Sequence, residues 1–182
     1  MQLDRLRHGA LALLLAALAG CGGVDTRSPS EDSDASSHAQ MSSKGQANLS
    51  LARNYLANDQ VELALDRANR ALRSDPESAD VQIVLGMIRE EIGELDRAGA
   101  NYERAAKLSP ESGHVLNIYG VWLCKQGKPA EADAVFARAL DDPFYKARDQ
   151  ALFNAAKCAL QAGELDKAGA YGRLALQTAP EN

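Results

Sequence analysis

Aromatic side chains make up only 5% of the 182 residues, and there are just three histidines, His8, His38 and His114. The histidines are too scattered along the chain to build a metal set or a catalytic pair, so no cofactor, metal or enzymatic activity is expected. Nothing reads as a strand, so no glycine-rich phosphate loop can follow one. Carboxylates such as Glu90-Glu91 read as solvated helix faces rather than a cleft. No small-molecule substrate is implied. A basic excess is also missing: the formal charge is −5, which argues against a nucleic-acid partner. The longest apolar run, Ala10 to Leu18, is far short of the roughly 20 residues a membrane span needs.

That short run has another use. Arg5 and Arg7 precede it, and Leu18-Ala19-Gly20-Cys21 closes it. Residues 1–20 therefore read as a secretory signal. The closing tetrapeptide resembles the lipobox of bacterial lipoproteins: an aliphatic residue, two small residues for the peptidase, then a cysteine whose thiol takes the lipid. The alternative is an ordinary signal peptide that ends near a cysteine. In lipoproteins an Asp after the cysteine tends to retain the protein at the inner membrane. Here Gly22 follows. The resemblance thus implies a covalent lipid on Cys21, anchoring at the periplasmic face of the outer membrane of a Gram-negative bacterium, and a mature charge of about −6.

Residues 21–46 hold the lipidated cysteine and a Ser-, Asp-, Gly- and Ala-rich linker with Pro29 as its only proline and Met41 as its one apolar anchor. Such a segment buries too little surface to offset its ordering entropy and is expected to be disordered, with a span of about 25–30 Å.

What the chain has in abundance is Ala and Leu, arranged with a period of 34. Asp75-Pro76 returns as Ser109-Pro110; Ala64 returns as Ala98 and Ala132; Ala71 returns as Ala105 and Ala139. After two extra residues near Asp141-Asp142-Pro143-Phe144-Tyr145 the series continues with Ala168, Ala175 and Pro180. This is the tetratricopeptide pattern of helix, tight turn, helix and proline-marked break. The fold is expected to be all-α, a helix-hairpin solenoid over residues 45–182 with repeats at 45–78, 79–112, 113–148 and 149–182. Small residues are expected where helices cross, including Gly86 and Gly120. Larger ones, Leu51, Tyr55, Leu85, Tyr102, Tyr119 and Phe136, are expected to fill the gaps. Gly93, Gly127 and Gly163 fall where a hairpin turn wants positive φ, and Asn58-Asp59-Gln60 replaces them in repeat one, where Asn tolerates that conformation. A generic four-helix bundle with accidental periodicity is the alternative.

Stacked hairpins curve, and their first helices line the concave side. By the usual geometry of tetratricopeptide repeats, which the chain resembles, the exposed groove positions are expected to be Leu49, Arg53 and Leu56; Ile83, Met87 and Glu90; Asn117 and Val121; Phe153, Lys157 and Leu160. This mostly apolar surface with scattered charge suits a peptide or helix from a protein partner. For any one of these residues, plain solvation on a helix face is the competing reading. The Lys and Asn set of a clamp for C-terminal carboxylates is missing. Cys124 and Cys158 fall late in the first helices of adjacent repeats, a position compatible with a disulfide or with two small buried thiols.

Within repeats three and four the resemblance narrows. Asn117-Ile118-Tyr119-Gly120-Val121-Trp122-Leu123-Cys124 is similar to the N-N-Y-G-x-F-L-C stretch of the type IV pilus biogenesis lipoproteins PilF/PilW. Asp142-Pro143-Phe144-Tyr145 resembles that family's D-P-x-Y loop, and Asn154-Ala155-Ala156-Lys157-Cys158-Ala159-Leu160 its N-A-G-x-C-A-L. The chain departs from the pattern at Ile118, Lys146 and Ala156. It also reaches only a fourth repeat where the family usually has about six, so Tyr171, Leu174 and Leu176 are expected to be partly exposed, either because the chain is truncated or because that end docks a partner. The resemblance implies a pilotin, which binds the secretin subunit of the pilus pore and helps it assemble in the outer membrane. It also implies that Cys124 and Cys158 act as a pair. The rival reading is a general periplasmic scaffold lipoprotein for envelope or cell-wall assembly.

Overall fold

Serines set where the first helix of each of the first three hairpins begins. The hydroxyls of Ser42, Ser78 and Ser112 accept the N–H of Gly45, Val81 and Val115, satisfying donors that an α-helix leaves free at its start. The computed structural model describes residues 41–178. The expected signal, the lipidation site at Cys21 and nearly all of the linker lie outside these residues, as does Pro180. The described residues form eight helices: α1 (Ser43–Ala57), α2 (Val61–Ser74), α3 (Ala79–Glu91), α4 (Leu95–Leu108), α5 (Gly113–Lys125), α6 (Pro129–Asp141), α7 (Arg148–Gln161) and α8 (Leu165–Thr178). They pair in chain order as four hairpins, and each hairpin packs on the next, so the architecture is the expected all-α tetratricopeptide solenoid. None of the described helices is long and apolar enough to cross a membrane.

The helical region starts earlier than the sequence suggests. Ser43 and Lys44, placed above in the linker, form the first turn of α1 together with Gly45 and Gln46, where the linker and the first repeat were given as overlapping. Ser42 is fixed there by two bonds to Asp75, from its N–H (2.8 Å) and from its hydroxyl (2.8 Å). Met41 packs on the first core cluster.

Two clusters dominate the interior. One joins Leu49, Ala52, Ala64, Ala68, Ala71, Val81, Val84, Leu85 and Ile88; the other centres on Leu116, Leu123, Phe136, Tyr102 and Trp122. Where hairpin helices cross, the missing side chain of glycine matters. A Cβ on Gly86 would lie 2.8 Å from the Tyr102 ring, and one on Gly120 would lie 2.7 Å from the buried Phe136 ring. Leu51 departs from its expected role as a filler: at 41% exposure it points outward from the first hairpin.

The hairpin turns hold Gly93, Gly127 and Gly163 at φ 78°, 71° and 79°. In the first repeat the left-handed residue is Asp59 (φ 56°), not Asn58, whose φ is −107°. Asp59 is one period before Gly93, so the turn keeps its phase while Asn58 caps α1 and its amide bonds the carbonyl of Asn54.

The two-residue insertion forms the α6–α7 connection. The Asp142 carboxylate accepts the N–H of Gly113 (2.8 Å) and of Phe144 (2.8 Å), which hold its pKa below the usual carboxylate value. Arg148 donates to the carbonyls of Leu140 and Asp142. Tyr145 is buried against Gly113, while Phe144 is exposed. On α8, Leu174 and Leu176 are exposed, whereas Tyr171 is half-buried and donates to Asp133 (2.6 Å).

Candidate partner-binding groove

The first helices α1, α3, α5 and α7 contact one another in sequence, so their outer faces form one continuous surface. Three of the expected groove positions have little exposure, though Leu49 and Asn117 each still border a hollow of this surface. Leu49 (4% exposed), Ile83 (3%) and Asn117 (7%) are buried. They occupy the seam where one hairpin presses on the next: Leu49 packs in the first core cluster, and Ile83 packs with Ala105 and Val115. Asn117 accepts a bond from the Asn154 amide (3.0 Å), which ties α5 to α7. Arg53, Met87, Phe153, Lys157 and Leu160 are exposed, and Leu56, Glu90 and Val121 are half-buried. Arg53 lies 3.7 Å from Asp80 of α3, a pair too solvated to add much stability.

The surface is hollowed in three places. A polar hollow of about 890 Å³ lies along the starts of α1, α3 and α5, between Arg53, Asp80, Ser112 and His114. Farther along the stack, Met87, Glu90, Val121 and Trp122 surround a hollow of about 220 Å³. A third, of about 90 Å³, lies between Lys157, Gln161 and the two cysteines. Val121, Lys125 and Asn154 line both of the smaller hollows, which therefore run into one another.

Glu90 organises this second region. It accepts the Tyr102 hydroxyl (3.0 Å) and the Lys125 ammonium (2.6 Å), joining α3, α4 and α5. Burial, and then the Glu90 charge, keep the Tyr102 phenol protonated well above its ordinary range. Behind it, Arg89 donates to Asn101, and Asn101 donates to the buried Gln82. Cys124 and Cys158 come together on the groove wall with Cα atoms 5.7 Å apart and their sulfurs bonded. Trp122, Lys125 and Asn154 also line these hollows and lie outside the groove positions expected from the sequence. Lys125 follows Cys124 directly, and its partner Glu90 is 35 residues earlier, one period plus one, so the repeat phase carried a signal for that contact.

A groove built this way offers apolar contact, amides and fixed charges. Among the described residues no group of three His, Cys, Asp or Glu side chains is placed to hold a metal ion.

The tetratricopeptide-repeat pattern matches residues 49–113 and 123–182, and the chain belongs to the tetratricopeptide-repeat family. Domains of this family mediate protein–protein contact and are generally scaffolds rather than enzymes. The chain is 31% identical over 120 residues to an uncharacterized protein of Haemophilus influenzae, covering 66% of this chain and 67% of that one. It is 27% identical over 156 residues to the type IV pilus assembly protein PilF of Pseudomonas aeruginosa, covering 86% of this chain and 60% of that one. The solved structure of PilW, described as a widely conserved type IV pilus biogenesis factor, aligns with a TM-score of 0.72 at 28% identity, covering 76% of this chain and 64% of that one. The chain thus spans less than two thirds of the length of both pilus relatives.

Proposed function

We propose that this chain is an assembly factor for the type IV pilus, a pilotin that binds the secretin subunit through its first-helix face and is held at the periplasmic side of the outer membrane by lipid on Cys21. The observation that carries the reading is that similarity to the pilus relatives covers most of the chain. The segments with the pilus-family signature, Asn117–Cys124 and Asn154–Leu160, also supply groove elements: the Asn117–Asn154 bond and the paired cysteines. A binding role also fits the fold, whose stacked hairpins present an extended face.

Deletion of the gene followed by blotting for secretin multimers tests the reading. Loss of multimers with accumulation of secretin monomer is expected, together with loss of twitching. Normal multimers and normal twitching would sink it and leave a general envelope scaffold.

A further inference from the structure

Resting on the anchor at Cys21 in that reading, we propose that the α6–α7 connection is a second membrane contact: Phe144 enters the interface of the phospholipid bilayer that holds the lipid and orients the repeat stack on it. Three turns of one kind join each hairpin to the next. In each, the fourth residue donates its N–H to the carbonyl of the first: Ser78 to Asp75 (3.2 Å), Ser112 to Ser109 (3.2 Å) and Tyr145 to Asp142 (3.3 Å). Proline is second every time, and the tip residue after it is Glu77, then Glu111, then Phe144. Glu77 and Glu111 are exposed although a further hairpin follows each of them. Exposure at this position therefore belongs to the turn and does not come from a missing neighbour. Where the first two turns offer water a carboxylate, the third offers it a phenyl ring, 88% exposed.

The ring is held out by its surroundings. The Asp142 carboxylate accepts the Phe144 N–H and ties the turn to Gly113 of α5. On the other side Tyr145 is buried, and Arg148 holds the carbonyls of Leu140 and Asp142. Backbone fixed on both sides keeps the ring from folding back onto the domain, so its apolar surface stays in water until something else covers it. Lys146, two residues on, is exposed and makes no ion pair among the described residues. A ring with an ammonium beside it suits a bilayer interface, where the ring sits at the headgroup boundary and the ammonium reaches lipid phosphate. Asp141 and Asp149 are exposed close by, so the ring rather than net charge carries the contact.

The entry point of the chain favours a membrane over a protein pocket. Ser42 is bonded to Asp75 in the first turn, and the Ser78 hydroxyl donates to the Met41 sulfur (3.2 Å). Met41, Glu77, Ser109 and Ser112 border one hollow, and Gly113, next to Ser112, holds Asp142. The tether and all three turns thus share one edge of the stack. From α1 to α5 is two helix spacings, roughly 20 Å. The linker from Cys21 to Met41, about 20 residues with an expected span of about 25–30 Å, lets that edge rest on the bilayer. One ring is too weak to hold a domain by itself, but beside a bilayer already supplied by the tether it selects an orientation.

The test couples the mature chain through Cys21, the cysteine outside the Cys124–Cys158 bond, to a maleimide lipid in phosphatidylcholine vesicles, so it does not depend on natural lipidation. Brominated phosphatidylcholine quenches tryptophans that enter the bilayer, and buried Trp122 gives the baseline. Phe144→Trp should add a blue-shifted emission that loses most of its intensity to brominated lipid. Gln126→Trp, exposed in the turn at the far end of α5, should lose none. Energy transfer from Trp122 to a dansyl-headgroup lipid is then compared between wild type and Phe144→Glu, which restores the residue of the other two turns. A clear drop in transfer is expected, with Phe144→Leu close to wild type, and circular dichroism checks that the helices are intact. Quenching of Phe144→Trp no greater than that of Gln126→Trp, or equal transfer from wild type and Phe144→Glu, would overturn the membrane contact. If Phe144→Glu leaves transfer unchanged yet loses secretin multimers in cells, the turn meets a protein, and the proposal falls as well. Retention of Cys21→Ser in the outer-membrane fraction would instead sink the anchor reading, which the coupled vesicles do not touch.

Discussion

Gly120 illustrates how tightly the crossings are specified. Its absent Cβ would sit 2.7 Å from the Phe136 ring, which is itself buried on all sides. Gly120→Ala gains about 1 kcal/mol in helix propensity. It forces α5 off α6, or the ring off its rotamer, at about 1–3 kcal/mol for overpacking. The expected outcome is a net loss of up to about 2 kcal/mol in denaturant unfolding, and partial recovery when Phe136→Leu makes room. An unchanged midpoint would show that the crossing is looser than its geometry implies. Gly120 was legible from the sequence because glycine inside an apolar helix has few other reasons to be there. Asp59 was less so. An Asn beside an Asp invites the Asn as the left-handed residue, and only the repeat phase, which places position 59 opposite Gly93, selects the Asp.

At the scale of elements, the period and the turn glycines made the hairpins legible, because each repeat carries the same solution to the same packing problem. The groove was less legible. Family geometry makes Leu49, Ile83 and Asn117 outward positions, yet here neighbouring hairpins close over them. Burial in a seam depends on how the next hairpin leans, which no single repeat encodes. The linker boundary was missed for a similar reason: the anchor for Ser42 is Asp75, 33 residues away. The Cys124–Cys158 link joins the first helices of the last two described hairpins near their C-terminal ends. Closing a loop of that length, with a sequence separation of 34, stabilises by about 3–4 kcal/mol on the chain-entropy account. The Cys124→Ser, Cys158→Ser double variant, or reduction of the native chain, should lower the unfolding midpoint. It should also speed hydrogen exchange in α7 and α8 well before α1–α4, since stacked repeats feel mainly their neighbours. Uniform exchange along the stack would argue against a local role.

For the whole molecule, the proposed anchor and the groove belong to one mechanism. On the proposed function, a domain tethered through about 20 residues would search a volume tens of ångströms across, which would set an effective concentration near millimolar for a partner at the same membrane. Groove affinity can then be modest and still give high occupancy. The lipid contributes concentration rather than contacts, so its loss should be recoverable by mass action. Cys21→Ser, expressed at the native level, should abolish secretin multimers on the proposed function. The same variant exported to the periplasm at roughly a hundredfold excess should restore a substantial part of them. If excess soluble protein restores nothing while the wild-type anchor does, the lipid must orient or deliver the complex rather than concentrate it.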